Sequence, residues 1–167
     1  MDLDNNKFSG PIPSEIGKLS LLQALDLSFN NLKGTIPSQL GSMSSLGELE
    51  LQNNQLKGWI PTQLGKLKQL MLIDMGSNQL AGHIPTQMGT LKNLQYIFLS
   101  SNKLSGPVPT QLSDTASLAF MNVSHNVLTG TIPIEFGKLS AMYALDLSFN
   151  SLKGKIPSEL GLLSDLN

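Results

Sequence analysis

The sequence contains no cysteine among its 167 residues, which excludes a disulfide framework, a thiolate zinc site and a cysteine nucleophile. Charged residues are also scarce, at 14% with a net charge of −1, so we expect no general affinity for nucleic acid. No apolar run approaches the ~18 residues of a membrane span, so we expect no direct membrane insertion by this segment. The start, Met1 followed by Asp2 and Asp4, lacks the basic and apolar segments of a signal peptide.

The sequence does contain one unit of 24 residues that occurs seven times, the last copy one residue short. One asparagine recurs in every unit, at Asn6, Asn30, Asn54, Asn78, Asn102, Asn126 and Asn150. One glycine recurs at Gly10, Gly34, Gly58, Gly82, Gly106, Gly130 and Gly154. One proline recurs at Pro13, Pro37, Pro61, Pro85, Pro109, Pro133 and Pro157. The repeat therefore has to be interpreted before any local motif.

The unit Leu25–Glu48 shows what each copy contains. Leu25 and Leu27 alternate with polar residues, which is the period-2 pattern of a half-buried strand. A second extended piece is expected at residues 34–37, and its proline predicts only a marginal ladder there. A short helical or 3₁₀ turn follows, and Gly41 is expected to reverse the chain after that turn. Neighbouring units should then stack and bury one continuous core, giving an α/β solenoid.

These residues match the pattern L-x-x-L-x-L-x-x-N-x-L, and the chain resembles a leucine-rich repeat protein. The extension N-x-L-x-G-x-I-P-x-x-L-G-x-L is similar to the plant subclass, found in the ectodomains of receptor-like kinases and receptor-like proteins. The resemblance implies a horseshoe of seven units over residues 1–167, with a parallel sheet on the concave face and short 3₁₀ or helical turns on the convex face. Because such ectodomains usually close with cysteine-containing caps, the resemblance implies a single array without caps, which is either cut from something larger or closed at its ends by further chain or by self-association.

The resemblance also implies a function. It predicts a non-enzymatic recognition module that is extracellular or held at the plasma membrane, with a protein or peptide ligand and a possible co-receptor. A kinase domain often follows the repeats in the parent family, but none is expected within this chain. Two alternatives stay open within the same family: inhibition of a cell-wall hydrolase such as polygalacturonase, and ice binding. The mixed side chains on the outward strand rows argue against ice binding there.

The recurring asparagines are predicted to be structural. A buried amide offers two donors and an acceptor, so stacked asparagine side chains can satisfy backbone groups in the turn after each strand. We therefore expect a ladder formed by Asn6, Asn30, Asn54, Asn78, Asn102, Asn126 and Asn150.

The candidate binding residues lie where an acidic row on the strands is interrupted. Asp2, Asp26, Glu50, Asp74 and Asp146 occupy one outward strand position, at which Phe98 and Asn122 replace the acid. The position two residues earlier changes to apolar side chains in the same units. Exposed aromatic side chains on a rigid sheet are suited to an interaction site. We therefore predict ligand contacts by Leu72, Asp74, Tyr96, Phe98, Phe120, Asn122 and His125.

Other chemistry is weakly supported. Asn122-Val123-Ser124 is the only N-glycosylation sequon, and a glycan on Asn122 would crowd the predicted aromatic site. The two histidines, His83 and His125, fall at different phases of the repeat and therefore on different faces. The acidic row would allow a calcium site or an acid–base pair, but the sequence L-D-L-S is usual in the family that the chain resembles and explains the row as well. We therefore predict no catalytic residue, no metal site and no cofactor.

Overall fold

A computed structural model describes every residue, Met1–Asn167, and shows a solenoid of short strands and 3₁₀ helices. The strands in chain order are β1 (Ser9–Pro11), β2 (Ala24–Asp26), β3 (Asn31–Gly34), β4 (Glu48–Glu50), β5 (Gln55–Gly58), β6 (Leu72–Asp74), β7 (Gln79–Gly82), β8 (Tyr96–Phe98), β9 (Lys103–Pro107), β10 (Phe120–Asn122), β11 (Val127–Thr129) and β12 (Ala144–Asp146). The 3₁₀ helices are Ser14–Lys18, Ser38–Ser42, Thr62–Lys66, Thr86–Thr90, Thr110–Asp114, Ile134–Lys138 and Ser158–Leu162.

The even-numbered strands form the first sheet, which is parallel and ordered β12-β10-β8-β6-β4-β2. Each strand pairs with the next unit at an offset of one full repeat, so that Leu25 lies opposite Leu49 and Leu49 opposite Ile73. The first unit joins this sheet only through a single bridge between Asp2 and Asp26. This sheet is the concave face of the predicted horseshoe, and the 3₁₀ helices line its convex side.

The odd-numbered strands form a second parallel sheet, ordered β1-β3-β5-β7-β9-β11. The expected position of this ladder at residues 34–37 is wrong, because β3 runs from Asn31 to Gly34 and ends before Pro37. Gly34 has a φ of 80°, which stops the extended backbone, and Pro37 instead precedes the next 3₁₀ helix. The proline therefore costs the sheet no hydrogen bond.

The core is one cluster of 35 buried apolar side chains that runs through the stack. Inner positions such as Leu49, Leu70 and Ile73 are fully buried. Burying each such side chain contributes about 1.5–3 kcal/mol before conformational entropy is subtracted. No 3₁₀ helix here has the length and apolar character needed to cross a membrane.

A second row of recurring glycines sets how closely the units approach on the convex side. It contains Gly17, Gly41, Gly65, Gly89, Gly137 and Gly161. Gly41 was expected to reverse the chain, but it lies inside the 3₁₀ helix Ser38–Ser42 and has no positive φ. A Cβ at Gly41 would lie 2.4 Å from the carbonyl oxygen of Gln63 in the next unit. The glycine is therefore required by the contact between units, and the turn hypothesis for it is wrong.

Candidate ligand-binding face

The outward side chains of the first sheet form a continuous surface, which we call the strand face. Because side chains alternate along a strand, the first and third residues of each three-residue strand point away from the core while the middle one is buried. The parallel register then aligns two outward rows across the sheet. One row contains Ala24, Glu48, Leu72, Tyr96, Phe120 and Ala144, and the other contains Asp26, Glu50, Asp74, Phe98, Asn122 and Asp146.

The structure brings the predicted aromatic residues together. The rings of Phe98 and Phe120 lie 4.9 Å apart between centroids and tilt by 32°, in a diagonal contact between β8 and β10. Phe120 also contacts the ring of Tyr143 at 6.0 Å. Phe98, Phe120 and Tyr143 are called the aromatic cluster below, with Leu72 and Tyr96 aligned beside Phe120 in the register.

Two features of the aromatic cluster differ from the sequence expectation. Leu72, Tyr96, Phe98 and Phe120 are half-buried, not exposed, because neighbouring outward side chains cover part of each one. Tyr143 was not predicted, although it is 41% exposed and completes the cluster. It precedes β12 by one residue, so an alternation rule restricted to the strand does not select it. The signal that could have found it is the single large side chain in a row otherwise filled by Gln, Gly, Met and Ala.

The acidic part of the strand face lies in the earlier units. Asp26, Glu50 and Asp74 are direct neighbours on β2, β4 and β6, and Glu48 is exposed beside them. None of the 11 lysines occupies a strand of the first sheet, and the chain has no arginine. The carboxylates therefore have no lysine partner on the strands of their own sheet.

Asp74 and Asp146 occupy the same repeat position, but their pKa values are shifted in opposite directions. Burial raises the pKa of Asp74 to about 6, and the charges of Glu50 and Asp26 add to that rise, against a hydrogen bond from the Gly76 N–H. The pKa of Asp146 is lowered, first because the Ser148 hydroxyl donates to its carboxylate at 2.6 Å. A glycine stands at 76 where a serine stands at 148, so Asp74 lacks that second donor.

Asn122 lies on β10, toward the later end of the strand face, and His125 lies in the turn three residues after it. The Asn122 amide oxygen accepts hydrogen bonds from the Ser124 N–H at 3.0 Å and from its hydroxyl at 2.7 Å. Asn122 is half-buried, and its amide oxygen is bonded to Ser124, the last residue of its own sequon. Its glycosylation stays a prediction. His125 stacks on Phe149 at 4.1 Å and 12°, forming an aromatic pair separate from the aromatic cluster.

The residue before each recurring asparagine has a left-handed backbone, which the sequence did not predict. The φ values of Phe29, Ser77, His125 and Phe149 lie between 50° and 53°. This conformation is uncommon for residues other than glycine, asparagine, aspartate and histidine, and the phenylalanines are the bulkiest side chains that adopt it here. It turns these side chains outward, so that Phe149 is 72% exposed, while the following asparagine enters the core.

The recurring asparagines bridge neighbouring units. The side-chain amide of Asn78 donates to the carbonyl oxygens of Leu51, Met75 and Gly76 at 2.9–3.3 Å. Its oxygen accepts the Leu56 N–H at 3.0 Å. The same pattern of donors and acceptor recurs at Asn30, Asn54, Asn102, Asn126 and Asn150. Asn6 bonds only to Leu3 and Asp4 in its own unit.

One cluster of carboxylates has the spacing of a possible cation site. Ligand atoms of Asp2, Asp4 and Asp26 all lie within 4.8 Å of one another, with Asp2 exposed and the other two half-buried. Oxygen-rich groups of this kind suit calcium, but exposed acidic clusters also form without any ion. The two histidines lie on different faces, with His83 over Gly106 and His125 against Phe149.

A separate lateral surface carries the only tryptophan. Trp59 is 76% exposed and its ring lies over Gly82, where a Cβ would be 2.6 Å from the indole. His83 lies in the same way over Gly106 in the next unit. A shallow cavity of about 540 Å³ lies between these rings and Thr62, Thr86 and Gln87. This surface does not belong to the strand face.

Comparison with known families covers most of the chain. A family described as "Leucine rich repeat" matches residues 20–80, and a second family of the same description matches residues 1–19, 93–114, 117–139 and 143–163. No curated protein matches the sequence.

Solved structures share both the fold and about a third of the sequence. The crystal structure of a TDR receptor matches 96% of this chain at 34% identity with a TM-score of 0.95. The Arabidopsis receptor kinase HAESA, in complex with the peptide hormone IDA and the co-receptor SERK1, matches 100% of it at 31% identity and 0.75. A plant ice-binding protein matches 93% of it at 34% identity and 0.88. The chain spans 28% and 32% of the two receptor chains and 51% of the ice-binding chain.

Proposed function

The chain belongs to the leucine-rich repeat family, and on that premise we propose that it is a non-catalytic recognition module whose strand face binds an extended peptide or protein segment. The observation that carries the proposal is the aromatic cluster, because Phe98, Phe120 and Tyr143 form a partly exposed apolar surface on a rigid sheet. A rigid surface lowers the ordering cost of binding. The similar receptor HAESA was solved with a peptide hormone and a co-receptor, which supports partners of this kind.

The wider setting follows from the same similarity. We propose that the chain is part of an extracellular receptor-type ectodomain at the plasma membrane, with a ligand on the strand face and a co-receptor on a second surface. Its span of about a third of the receptor chains supports a segment of a longer protein. Sequencing of the complete transcript tests this setting. The expected product contains a secretion signal and a membrane span, and a complete product without either contradicts it.

Binding to the strand face is tested without knowing the natural ligand. Random 12-residue peptides displayed on phage are selected against the chain, and the selected peptides are titrated against the Phe98→Ala/Phe120→Ala variant. We expect a loss of affinity of about tenfold or more, because central aromatic residues carry most of the energy in such interfaces. Trp59→Ala is the matched control, since it removes an exposed aromatic side chain from another face. Unchanged binding by a folded double variant would show that the strand-face assignment is wrong.

A second candidate is adsorption to ice, for which the similarity to the plant ice-binding protein and one structural feature provide support. The strand face is irregular, but the first residues of the 3₁₀ helices form a more regular hydroxyl row at Ser14, Ser38, Thr62, Thr86, Thr110 and Ser158, interrupted by Ile134. Gln39, Gln63, Gln87 and Gln111 form a second regular row beside it. Thermal hysteresis that falls in Thr62→Lys/Thr86→Lys would favour this function, and its absence in the unmodified chain excludes it.

A further inference from the structure

The strand face is divided along the solenoid axis into two chemically different halves. Strands β2, β4 and β6 present Asp26, Glu48, Glu50 and Asp74. Strands β8 and β10 present Tyr96, Phe98 and Phe120, and Tyr143 borders this apolar half before β12, whose outward Asp146 ends it. The change from acid to aromatic occurs between β6 and β8, where Asp74 lies directly opposite Phe98. A ligand that crosses the strands therefore contacts both halves in sequence.

The negative charge of the acidic half is not compensated within the chain. No lysine lies on any strand of the first sheet, so the nearest neighbours of Glu50 in the register are the carboxylates Asp26 and Asp74. Like charges side by side on a sheet are destabilising. The pKa of Asp74, raised to about 6 by burial and by its acidic neighbours, is consistent with this uncompensated charge. A cationic group placed over these strands would relieve the repulsion.

We propose that the strand face binds a segment that is basic at one end and aromatic or aliphatic at the other, with its basic end over β2, β4 and β6 and its apolar end over β8, β10 and Tyr143. This inference rests on the proposed function, since it specifies the ligand of the same face. Complementary charge at the acidic half adds selectivity, and the aromatic cluster provides the apolar anchor.

The register of the sheet also fixes the spacing of such a ligand. Glu50 on β4 is two strands from Phe98 on β8, and Glu48 on β4 is three strands from Phe120 on β10. With about 4.8 Å between strands, these separations are about 10 to 15 Å. An extended chain advances about 3.3 Å per residue, so the ligand's basic residue should lie about three to five residues from its aromatic residue.

Four synthetic peptides of ten residues with blocked ends test the charge and the spacing. The first has two lysines near one end and two phenylalanines near the other, with about four residues between the groups. The second replaces the lysines with glutamines, the third replaces them with glutamates, and the fourth places the lysines next to the phenylalanines. Fluorescence polarisation at low salt measures each affinity. We expect the first peptide to bind at least about fivefold more tightly than the second and the fourth, and the third to bind most weakly.

Matched variants locate the source of the preference. In Glu48→Gln/Glu50→Gln, the ratio of affinities for the lysine and glutamine peptides should fall by at least about half, with Asp26 and Asp74 retaining the rest. Glu15→Gln/Glu159→Gln removes the same charge from the 3₁₀ helices and should leave the ratio unchanged. The unmodified chain provides a measurement that needs no variant, because the ratio should shrink as NaCl is raised from about 20 to about 300 mM.

The outcomes separate this inference from the proposed function. Equal binding of the lysine and glutamine peptides, or a preference that is undiminished in Glu48→Gln/Glu50→Gln, overturns the inference and leaves strand-face binding intact. Failure of the lysine peptide to bind overturns it as well, even where phage-selected peptides bind through Phe98 and Phe120. If the phage-selected peptides do not depend on Phe98 and Phe120, the proposed function itself is wrong.

Discussion

Individual asparagines connect neighbouring units of this solenoid through several hydrogen bonds each. An Asn78 side chain satisfies three carbonyl groups and one N–H, and these partners belong to two different units. Such groups would be costly to leave unpaired in the core. The ladder therefore allows a turn to be buried after every strand.

Replacement of Asn78 by alanine is expected to lower the free energy of unfolding by about 1–3 kcal/mol, because several buried partners lose their hydrogen bonds. Asn6→Ala is the matched control, since Asn6 is exposed and bonds only within its own unit. Urea unfolding followed by circular dichroism measures both. Equal effects of the two substitutions would contradict a role in joining units.

The ionised side chain of Asp74 lowers the free energy of unfolding at neutral pH, compared with a neutral side chain at the same position. Its pKa is about 6 in the folded chain, against 3.8 for an unperturbed aspartate, so the folded state holds the proton more tightly. The free energy of unfolding therefore falls as pH rises through this interval, and the cost is fully present above about pH 6. Asp74→Asn should raise stability by about 1 kcal/mol above that pH, after allowance for solvent screening, and by little below about pH 4.

The chain contains a precedent and a control for this substitution. Asn122 occupies the same position and still accepts the backbone N–H two residues later. Asp146→Asn should give no gain at neutral pH, because the pKa of Asp146 is lowered by hydrogen bonds to Ser148, which stabilise the charged form. Thermal melting of the unmodified chain, Asp74→Asn and Asp146→Asn across pH tests both expectations. A gain from Asp74→Asn that is constant with pH would exclude the titration of Asp74 as its cause.

At the scale of elements, the 3₁₀ helices of neighbouring units pack closely because most of them have a glycine at the contact. Gly65 lies in the helix Thr62–Lys66, and a Cβ there would be 2.6 Å from the Gln87 carbonyl oxygen. Equivalent contacts recur at Gly17, Gly41, Gly89 and Gly137. Ser113 replaces this glycine in the fifth unit, where the buried Thr115 hydroxyl has no hydrogen-bond partner.

The substitution Gly65→Ala should destabilise the chain by about 1–3 kcal/mol, because the neighbouring unit must move to accept the methyl group. Gly161→Ala is the matched control in the same row, since no atom lies within 4 Å of its added Cβ. Differential scanning calorimetry of both variants should show a lower Tm only for Gly65→Ala. Similar melting of the two would mean that the units are not locked at this contact.

Much of the fold follows from the sequence because its period repeats seven times. The strands, the 3₁₀ turns and the aligned rows of the strand face are consequences of a spacing that is visible in the sequence. The position of the second sheet was missed because its limit is the positive φ of Gly34, a backbone property that hydrophobic alternation does not report. Tyr143 was missed because it lies one residue before β12, outside the strand positions whose alternation marks the outward side chains.

At the scale of the whole molecule, the array should be most stable in its middle. Inner core residues such as Ile73 are fully buried, whereas Leu21, Ile156 and Leu162 in the outer units are 73–86% exposed. In a stacked array each unit is stabilised by its direct neighbours, so outer units gain less. Amide hydrogen exchange should therefore be slower in β6 than in β12. Uniform protection across the strands would indicate that the array unfolds as a single cooperative unit.

Positive and negative charges are separated between the two sheets of this nearly neutral chain. Three lysines and no carboxylate lie on the second sheet, whereas the carboxylates of β2, β4 and β6 lie on the strand face without any lysine. The net charge of −1 therefore conceals an electric dipole oriented across the solenoid. Such a dipole rotates the molecule so that its concave side meets an approaching cation, which raises the rate of productive encounters. An evolving array can thus tune how fast it captures a ligand by moving charges between faces, without changing its isoelectric point.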